Sequence, residues 1–498
     1  MRILQSLNRG FVMLCIAFYA RAAFGCDAVP AGQPLWIRLA APISTYSAKA
    51  GDAVHAILTQ DLVCGDEVVL PMGAPIEGVV RSRRKVGWGI RHETAALEIE
   101  FTRAMPKPGV TVALTARVEE VENAREPVRR GVIEGIRSTD TFEGSVSSRL
   151  IHLPSLNPYS DSVLIAYKVT FPIFPEPEIY YPAGTDMRLK TMKETSLPDG
   201  DFGPSVMVKR DDEATEEMVE HVPLRVMTKK HVDADLVNVV FEGTEAQVEQ
   251  AFRQAGWHNA DHTSKRSVMR NLYALLNNSG YAEQPMMTFL LNGKPEDMNW
   301  QKNLNSYGRR DHVRIWRWQP SPGSEPVWVT SSTRDTGASL SLKYEGFVHH
   351  IATEIDDERA TVIRDLNFAG CVKQVTYVAR PDMPTATMNA TGDVIHTDGS
   401  VAVVELKECR PIDPQMDATS RSTKFKPGNY VFRYIRKQIL TVRNDIWREN
   451  IIYGGYSVGR MAVMSMRHRM DVQRLRETLH ADVHVAPQQQ QSLAGGAP

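Results

Sequence analysis

Residues 235–257 read DLVNVVFEGTEAQVEQAFRQAGW, and this stretch decides the architecture of the second half of the chain. The run 236–241 is apolar and β-branched, as in a buried strand. Gly243 then breaks it, and Thr244 with Gln247 has the spacing of a capping box that starts a helix. Val248, Ala251 and Phe252 fall on one face of that helix, and Gly256 ends it. Outward from this unit, 264–276 repeats the helical period with Val268, Leu272 and Leu275 expected to face inward. Strand patterns come next at 288–291, 313–316 and 327–330, then a helix at 354–367 and strands at 372–378 and 401–406. Strands and helices in this order predict an α+β sandwich over 223–410.

Upstream, 27–190 consists of short β-branched runs separated by Pro and Gly, which predicts an all-β, barrel-like domain. Its turns recur as Pro30-Ala31-Gly32, Pro71-Met72-Gly73 and Pro182-Ala183-Gly184, in which proline sets φ and glycine tolerates the tight reversal. The first and third lead into similar strands, 34–39 and 186–189, so the domain is expected to open and close with strands of one sheet. The Gly- and Ser-rich stretch 131–161 reads as a long crossing loop, and the polar stretch 191–222 as a linker. After Pro411 the balance turns basic, 13 Lys and Arg against 7 Asp and Glu. Within this 411–487 extension, 431–448 (VFRYIRKQILTVRNDIWR) has the pattern of a basic amphipathic helix that packs on the protein or touches a membrane. Residues 488–498 read as a disordered tail. The fold class is α+β overall: an all-β barrel-like domain, an α+β sandwich and a helical basic extension.

The 498 residues suffice for about three folding units. With 58 Lys and Arg against 59 Asp and Glu, no global field favours nucleic acid, and none is expected as a partner. Arg2 and Arg9 flank the apolar run 11–20, with small residues at Ala20, Ala22, Ala23 and Gly25; residues 1–25 therefore read as a secretory signal peptide, and the protein as periplasmic or secreted. Cys26 just after it leaves lipidation open. Without Cys15 the mature chain keeps Cys26, Cys64, Cys371 and Cys409, for which proximity favours Cys26–Cys64 and Cys371–Cys409 disulfides.

Four ordered blocks, 235–257, 285–300, RRDHVRIW at 309–316 and HHIATEIDDER at 349–359, resemble the LssY-like C-terminal domain family over about 232–406. The segments GWGIRHE at 87–93 and FPEPEIY at 174–180 resemble the β-rich region ahead of that domain in some bacterial envelope proteins. The resemblance implies an envelope protein without an established reaction.

The second unit concentrates the candidate chemistry. His312, Asp335, His349, His350, Asp356 and Arg359 are the candidate catalytic residues, and His312, His349, His350 and Asp356 the candidate ligands of a divalent metal. Adjacent His349 and His350 point to opposite faces of a strand, so one of them at most joins His312. Thr353 reads as an N-cap with Asp356 three residues on, and Arg359, on the apolar side of its helix, needs Asp356 or Asp335 as partner. Arg81, Arg83, Arg84, Lys85 and Arg91 surround Trp88 as a basic patch or a solvated hairpin. No HExxH, GxSxG, Walker or dinucleotide fingerprint is present. The expectation is a binding or scaffold protein of the cell envelope, with envelope proteins or a membrane surface as partner. The alternative is a metal-dependent hydrolase of phosphate- or lipid-containing substrates.

Overall fold

The computed structural model describes residues 28–64, 67–138, 140–141, 175–197, 208–209, 213–262, 264–319, 325–341, 346–410 and 428–448, with 466, 469 and 470 besides. The signal-peptide stretch, Cys26, most of the expected crossing loop and the tail at 488–498 lie outside them. In the first half, β1 (Pro34–Leu39), β2 (Ala53–Leu58), β3 (Pro75–Arg84), β4 (Ala96–Lys107), β5 (Val110–Val121) and β6 (Asp186–Thr191) pair antiparallel in succession. β6 also pairs β1, which closes a six-stranded barrel with the first and last strands side by side. Alternation fills the interior: Leu97, Ile99 and Phe101 point into it while Glu98 and Glu100 face out. Gly32, Gly73 and Gly184, each last in a Pro-x-Gly turn, all take positive φ, where a side chain would be strained.

The second half holds a nine-stranded sheet. Its helices are α1 (Glu213–His221), α2 (Glu245–Gln254), α3 (Lys265–Asn277) and α4 (Ile355–Phe368). Its long strands are β7 (Val239–Glu242), β8 (Met298–Lys302), β9 (Arg310–Trp318), β10 (Val327–Ser341), β11 (Gly346–Ile351), β12 (Val372–Ala379) and β13 (Ser400–Leu406). The order is β12-β13-β7-β10-β9-β8 with β11 beside β10, and the edges carry Val208–Lys209 and His258–Asn259. Both faces are buried. Val239, Phe241, Val313 and Ile315 pack under α2 and α4, whereas Val240, Trp316, Val327 and Val329 pack with Val219 and Val222 on the other side. The capping box of Thr244 and Gln247 forms, and Gly256 succeeds the helix at φ 85°. Cys371 and Cys409 are joined, which closes a 38-residue loop across β12 and β13 and removes about 4 kcal/mol of chain entropy from the unfolded state. Cys64 is disulfide-bonded as well.

Three expectations need correction. The apolar run 236–241 is two strands in different sheets, because the chain turns at buried Asn238, whose amide bonds the backbone of Ser332. Part of the stretch 191–222 expected as a linker is the helix α1. Most consequentially, α3 is turned from the expected orientation: Val268 and Leu272 are 52% and 45% exposed, whereas Leu275 does pack inward beside Ala274, with Ser267 and Asn277 also on the inner side. Periodicity locates the helix but not its orientation.

Where barrel and sheet meet, the contact is ionic. Asp186 at the start of β6 accepts two bonds from Arg38 of β1, at 2.7 and 2.9 Å, and one from Lys302 of β8 at 2.6 Å. Lys302 also reaches Asp365 of α4 at 2.6 Å. Glu122, just past β5, binds Arg364 at 2.7 Å, and Asn123 donates to Asp311 of β9 at 2.6 Å. Arg334 of β10 completes the seam with a 2.7 Å bond to Asp311. All of these side chains are buried or nearly so. Burial alone would raise Asp186 and Asp311, but the cations around them hold both below the usual carboxylate range. Glu122 and, in α4, Glu358 are the exceptions: burial pushes the Glu122 carboxyl up against the pull of Arg364, and Glu358 goes further. Burial, then the neighbouring Asp311 charge, pushes the Glu358 carboxyl well up, against the pull of Arg334 at 3.6 Å.

The basic helix α5 (Tyr430–Arg448) docks on the barrel. Arg436 is buried; its Nε donates to the Gly87 carbonyl at 2.6 Å and its Nη1 to the Glu176 carboxylate at 2.7 Å. Leu440 enters the barrel core, Phe432 meets the Trp88 ring edge-on at 4.8 Å, and a Cβ at Gly89 would collide with Leu440. The Trp88 hairpin is thus a helix dock. Arg81 of the same hairpin pairs with Glu100 at 2.7 Å.

A folded-state carboxyl with a raised pKa binds its proton more tightly than in the unfolded chain. Glu358 therefore contributes stability at low pH that is lost as pH rises above about 4.5. Glu358→Gln is expected to remove this decline, so that the variant gains stability relative to wild type as pH rises from about 4 to 8. Urea denaturation across that range checks it; a constant difference between the two proteins would contradict it.

Candidate functional site

One strand supplies both polar centres of the second unit. Side chains alternate along β9, so Asp311 faces the seam while Arg310, His312 and Arg314 share the other face. Opposite them on β10 stand Ser331, Thr333 and Asp335 in register. Asp335 is the hub. It accepts from Arg310 Nε at 2.8 Å and His312 Nε2 at 2.7 Å, and His349 Nδ1 lies at 3.2 Å. The Nδ1 atom of His312 faces Thr333 Oγ1 at 3.2 Å and Arg314 Nη1 at 3.3 Å. Both of those groups donate, so Nδ1 accepts and the Nε2–H donates to Asp335: the imidazole is neutral. Burial pushes its pKa down, against the pull of Asp335, in agreement with this tautomer. Burial would raise Asp335, but the Arg310 charge and the bond from His312 hold it well below the carboxylate range.

A bulge sorts the remaining residues. Asp335 and Ser339 have the same parity and would share a face of a regular strand. The register between β10 and β11 slips by one residue between Asp335 and Gly337. Asp335 therefore faces inward with His349, and Ser339 faces outward with His350. His350 Nδ1 pairs with Asp393 Oδ1 at 2.8 Å, and its Nε2 with Ser339 Oγ at 2.7 Å. Asp393 lies on the Asn389–Asp393 turn, where its Oδ2 accepts from Thr391 Oγ1 at 2.8 Å and Ile351 N at 3.3 Å. As expected of neighbours on a strand, the two histidines serve opposite faces.

The helix residues serve structure. Glu354 takes the N-cap position of α4 without a side-chain bond, so Thr353 is not the cap. Asp356 instead accepts from Thr397 Oγ1 at 2.8 Å and Asp398 N at 2.6 Å. Arg359 is buried against Asp398 at 2.6 Å and Asp356 at 3.3 Å, with Tyr377 under its guanidinium; Asp335 takes no part. His312, His349, His350 and Asp356 thus sit in three separate clusters, and no group of three or more metal-ligating side chains suited to hold an ion occurs among the described residues. A groove of about 710 Å³ opens elsewhere, between α1, the start of α2 and the edge of β10, with Glu217, His221, Glu242 and Glu325 in its wall.

Residue type alone conceals Arg310, Thr333, Ser339, Asp393 and Asp398. Their partners lie across strands or turns far away in sequence, and only the polar turn NATGD at 389–393 offers a local signal. Asp335→Asn should leave Arg310 buried without its counter-charge and cost about 3–5 kcal/mol. His350→Ala, at a half-exposed position, should cost under about 1 kcal/mol. Urea denaturation compares them; equal losses would contradict the hub role of Asp335.

Residues 219–401 match the family model described as LssY C-terminus. No curated protein matches the chain. Among solved structures, ComB10 of the Com Type IV secretion system of Helicobacter pylori is similar at 14% identity, over 35% of this chain and 92% of that one, with a TM-score of 0.21. The unit that carries both histidine centres is therefore an LssY C-terminus domain.

Proposed function

We propose that the protein is an exported binding or scaffold protein of the cell envelope that rests on an anionic membrane surface through α3. The observation that carries this reading is the outward apolar face of that helix. Val268, Met269, Leu272 and Tyr273 are 52%, 63%, 45% and 59% exposed. They form one stripe on a helix closed at both ends, by the Ser264–Ser267 capping box and by Asn278 in the left-handed conformation. The helix 265–277 carries Lys265, Arg266 and Arg270 and no acidic residue. An apolar stripe flanked by Lys265 and Arg266, with Arg270 paired to Asp261 and Glu283 at 3.4 and 3.6 Å, matches the acyl boundary and anionic head groups of a bilayer.

The orientation has a physical cause. The inner side of α3 has only a narrow apolar footing, Ala274 and Leu275 on Tyr281 and Tyr307, beside the polar Ser267, Asn271 and Asn277; Tyr307 in turn lies against the His349 ring at 5.6 Å. That footing takes two apolar residues of the helix, so Val268, Met269, Leu272 and Tyr273 are left outward. A second stripe, Val431, Ile435 and Ile439 of α5, is also exposed. Both helices are tied to the same segment, for Arg125 bridges the Asn278 and Glu176 carbonyls while Arg436 holds the Glu176 carboxylate. No helix among the described residues is long and apolar enough to cross a membrane. Support for export comes from the charged and apolar pattern of residues 1–25. The metal-dependent alternative is not favoured, since His312 and His349 both turn to Asp335.

Purified protein should sediment with phosphatidylglycerol-containing vesicles and stay in solution with phosphatidylcholine alone. The double variant Met269→Ser, Leu272→Ser, changed only at exposed positions, should lower the partition by about tenfold or more, at about 1.5 kcal/mol for each apolar side chain buried. Wild type that ignores anionic vesicles would overturn the reading.

A further inference from the structure

From the arrangement of Ser339, His350 and Asp393, we infer that this domain carries a nucleophilic acyl-ester hydrolase site. The geometry is that of a serine triad. Ser339 Oγ lies 2.7 Å from His350 Nε2, and His350 Nδ1 lies 2.8 Å from Asp393 Oδ1. Position assigns the roles. The imidazole has one nitrogen on a hydroxyl and the other on a carboxylate, so the carboxylate fixes the tautomer that leaves Nε2 free to take the serine proton.

The third member is itself held. Thr391 Oγ1 and the Ile351 amide donate to the second oxygen of Asp393, and the Asp393 amide donates to Asn389 Oδ1 at 2.9 Å. That turn is closed by the Gly392 amide on the Asn389 carbonyl at 3.0 Å. Ser339 and His350 stand on adjacent antiparallel strands, fixed by the register Ser339 to Val348 and Gly337 to His350. Two strands and a tight turn thus place the three groups, whereas a chance surface hydrogen bond needs no such support.

The site is open. Ser339 is exposed and the His350 side chain is 43% accessible, so an ester carried on a large or surface-bound molecule can reach it from outside. In the reaction, Ser339 Oγ attacks the carbonyl carbon and its proton passes to His350 Nε2. The carbonyl–alkoxide bond breaks, the alcohol leaves with that proton, and an acyl-serine remains. Solvent water, giving its proton to His350, then attacks the acyl carbon; the carboxylic acid departs and Ser339 recovers its proton. The sum is ester plus water to acid plus alcohol, with no oxidant or metal. Asp393 touches no reacting atom and is a positioning residue.

The test uses the full-length mature protein with a fluorophosphonate probe and with p-nitrophenyl acetate. In the first reaction Ser339 Oγ forms a bond to phosphorus as fluoride leaves. Mass spectrometry should find one adduct, on Ser339, that is absent in Ser339→Ala. His350→Gln should slow labelling and ester hydrolysis by about a hundredfold or more. Asp393→Asn should lower the rate and flatten its rise with pH, a change that a purely structural role would not produce at unchanged melting temperature. No adduct on Ser339, or undiminished hydrolysis by Ser339→Ala, overturns the inference. The membrane reading uses α3 alone and stands or falls separately.

Discussion

The structure depends on a buried seam of charge between barrel and sheet. Arg38, Glu122 and Asp186 come from one end of the barrel; Lys302, Asp311, Arg334, Arg364 and Asp365 come from the sheet and α4. Removing such groups from water is costly, and their mutual attraction offsets that cost only when each finds an opposite charge at hydrogen-bond distance. Every ion of the seam does. A contact of this kind does not tolerate sliding, because displacement by one side chain would leave buried charges alone. It fixes two separately wound units as one body, with Glu358 as the excess carboxyl that burial and Asp311 push well up.

That constraint propagates through the second unit. With β9 locked to the barrel through Asp311, its opposite face must hold Arg310, His312 and Arg314 away from water; Asp335 is the partner of the first two, and Asp235 lies 3.9 Å from Arg314. Beside the polar centre, Tyr307 lies on His349 and offers α3 only the small footing of Ala274 and Leu275, and Val268, Met269, Leu272 and Tyr273 are left outward. The bulge beside Asp335 places Ser339 on the outer surface with His350. Seam, buried histidine, outward helix and surface triad are successive consequences of two alternating strands and one extra residue.

Much of the fold is legible from periodicity. The barrel shows in its alternating runs and Pro-x-Gly turns, and the similar strands at 34–39 and 186–189 do lie side by side. The RRDHVRIW block of β9 is recognisable as a strand with polar residues on one face. Pairing over long distances is not legible. Nothing near Asp186 announces Lys302, and nothing near His350 announces Asp393. The orientation of α3 escapes sequence reasoning for a related reason: an apolar stripe reports amphipathicity, not which side of the helix has polar neighbours. Asp356 has the spacing of a capping arrangement with Thr353, yet it holds the turn at 397–399, about 40 residues away in sequence.

The central claim is that the seam makes barrel and LssY C-terminus domain unfold together. Differential scanning calorimetry of the mature protein, at near-neutral pH with its disulfides intact, tests it most directly. One cooperative transition is expected, which Arg364→Met, by stranding Glu122, splits into two. Two well-separated transitions in the wild type would contradict it.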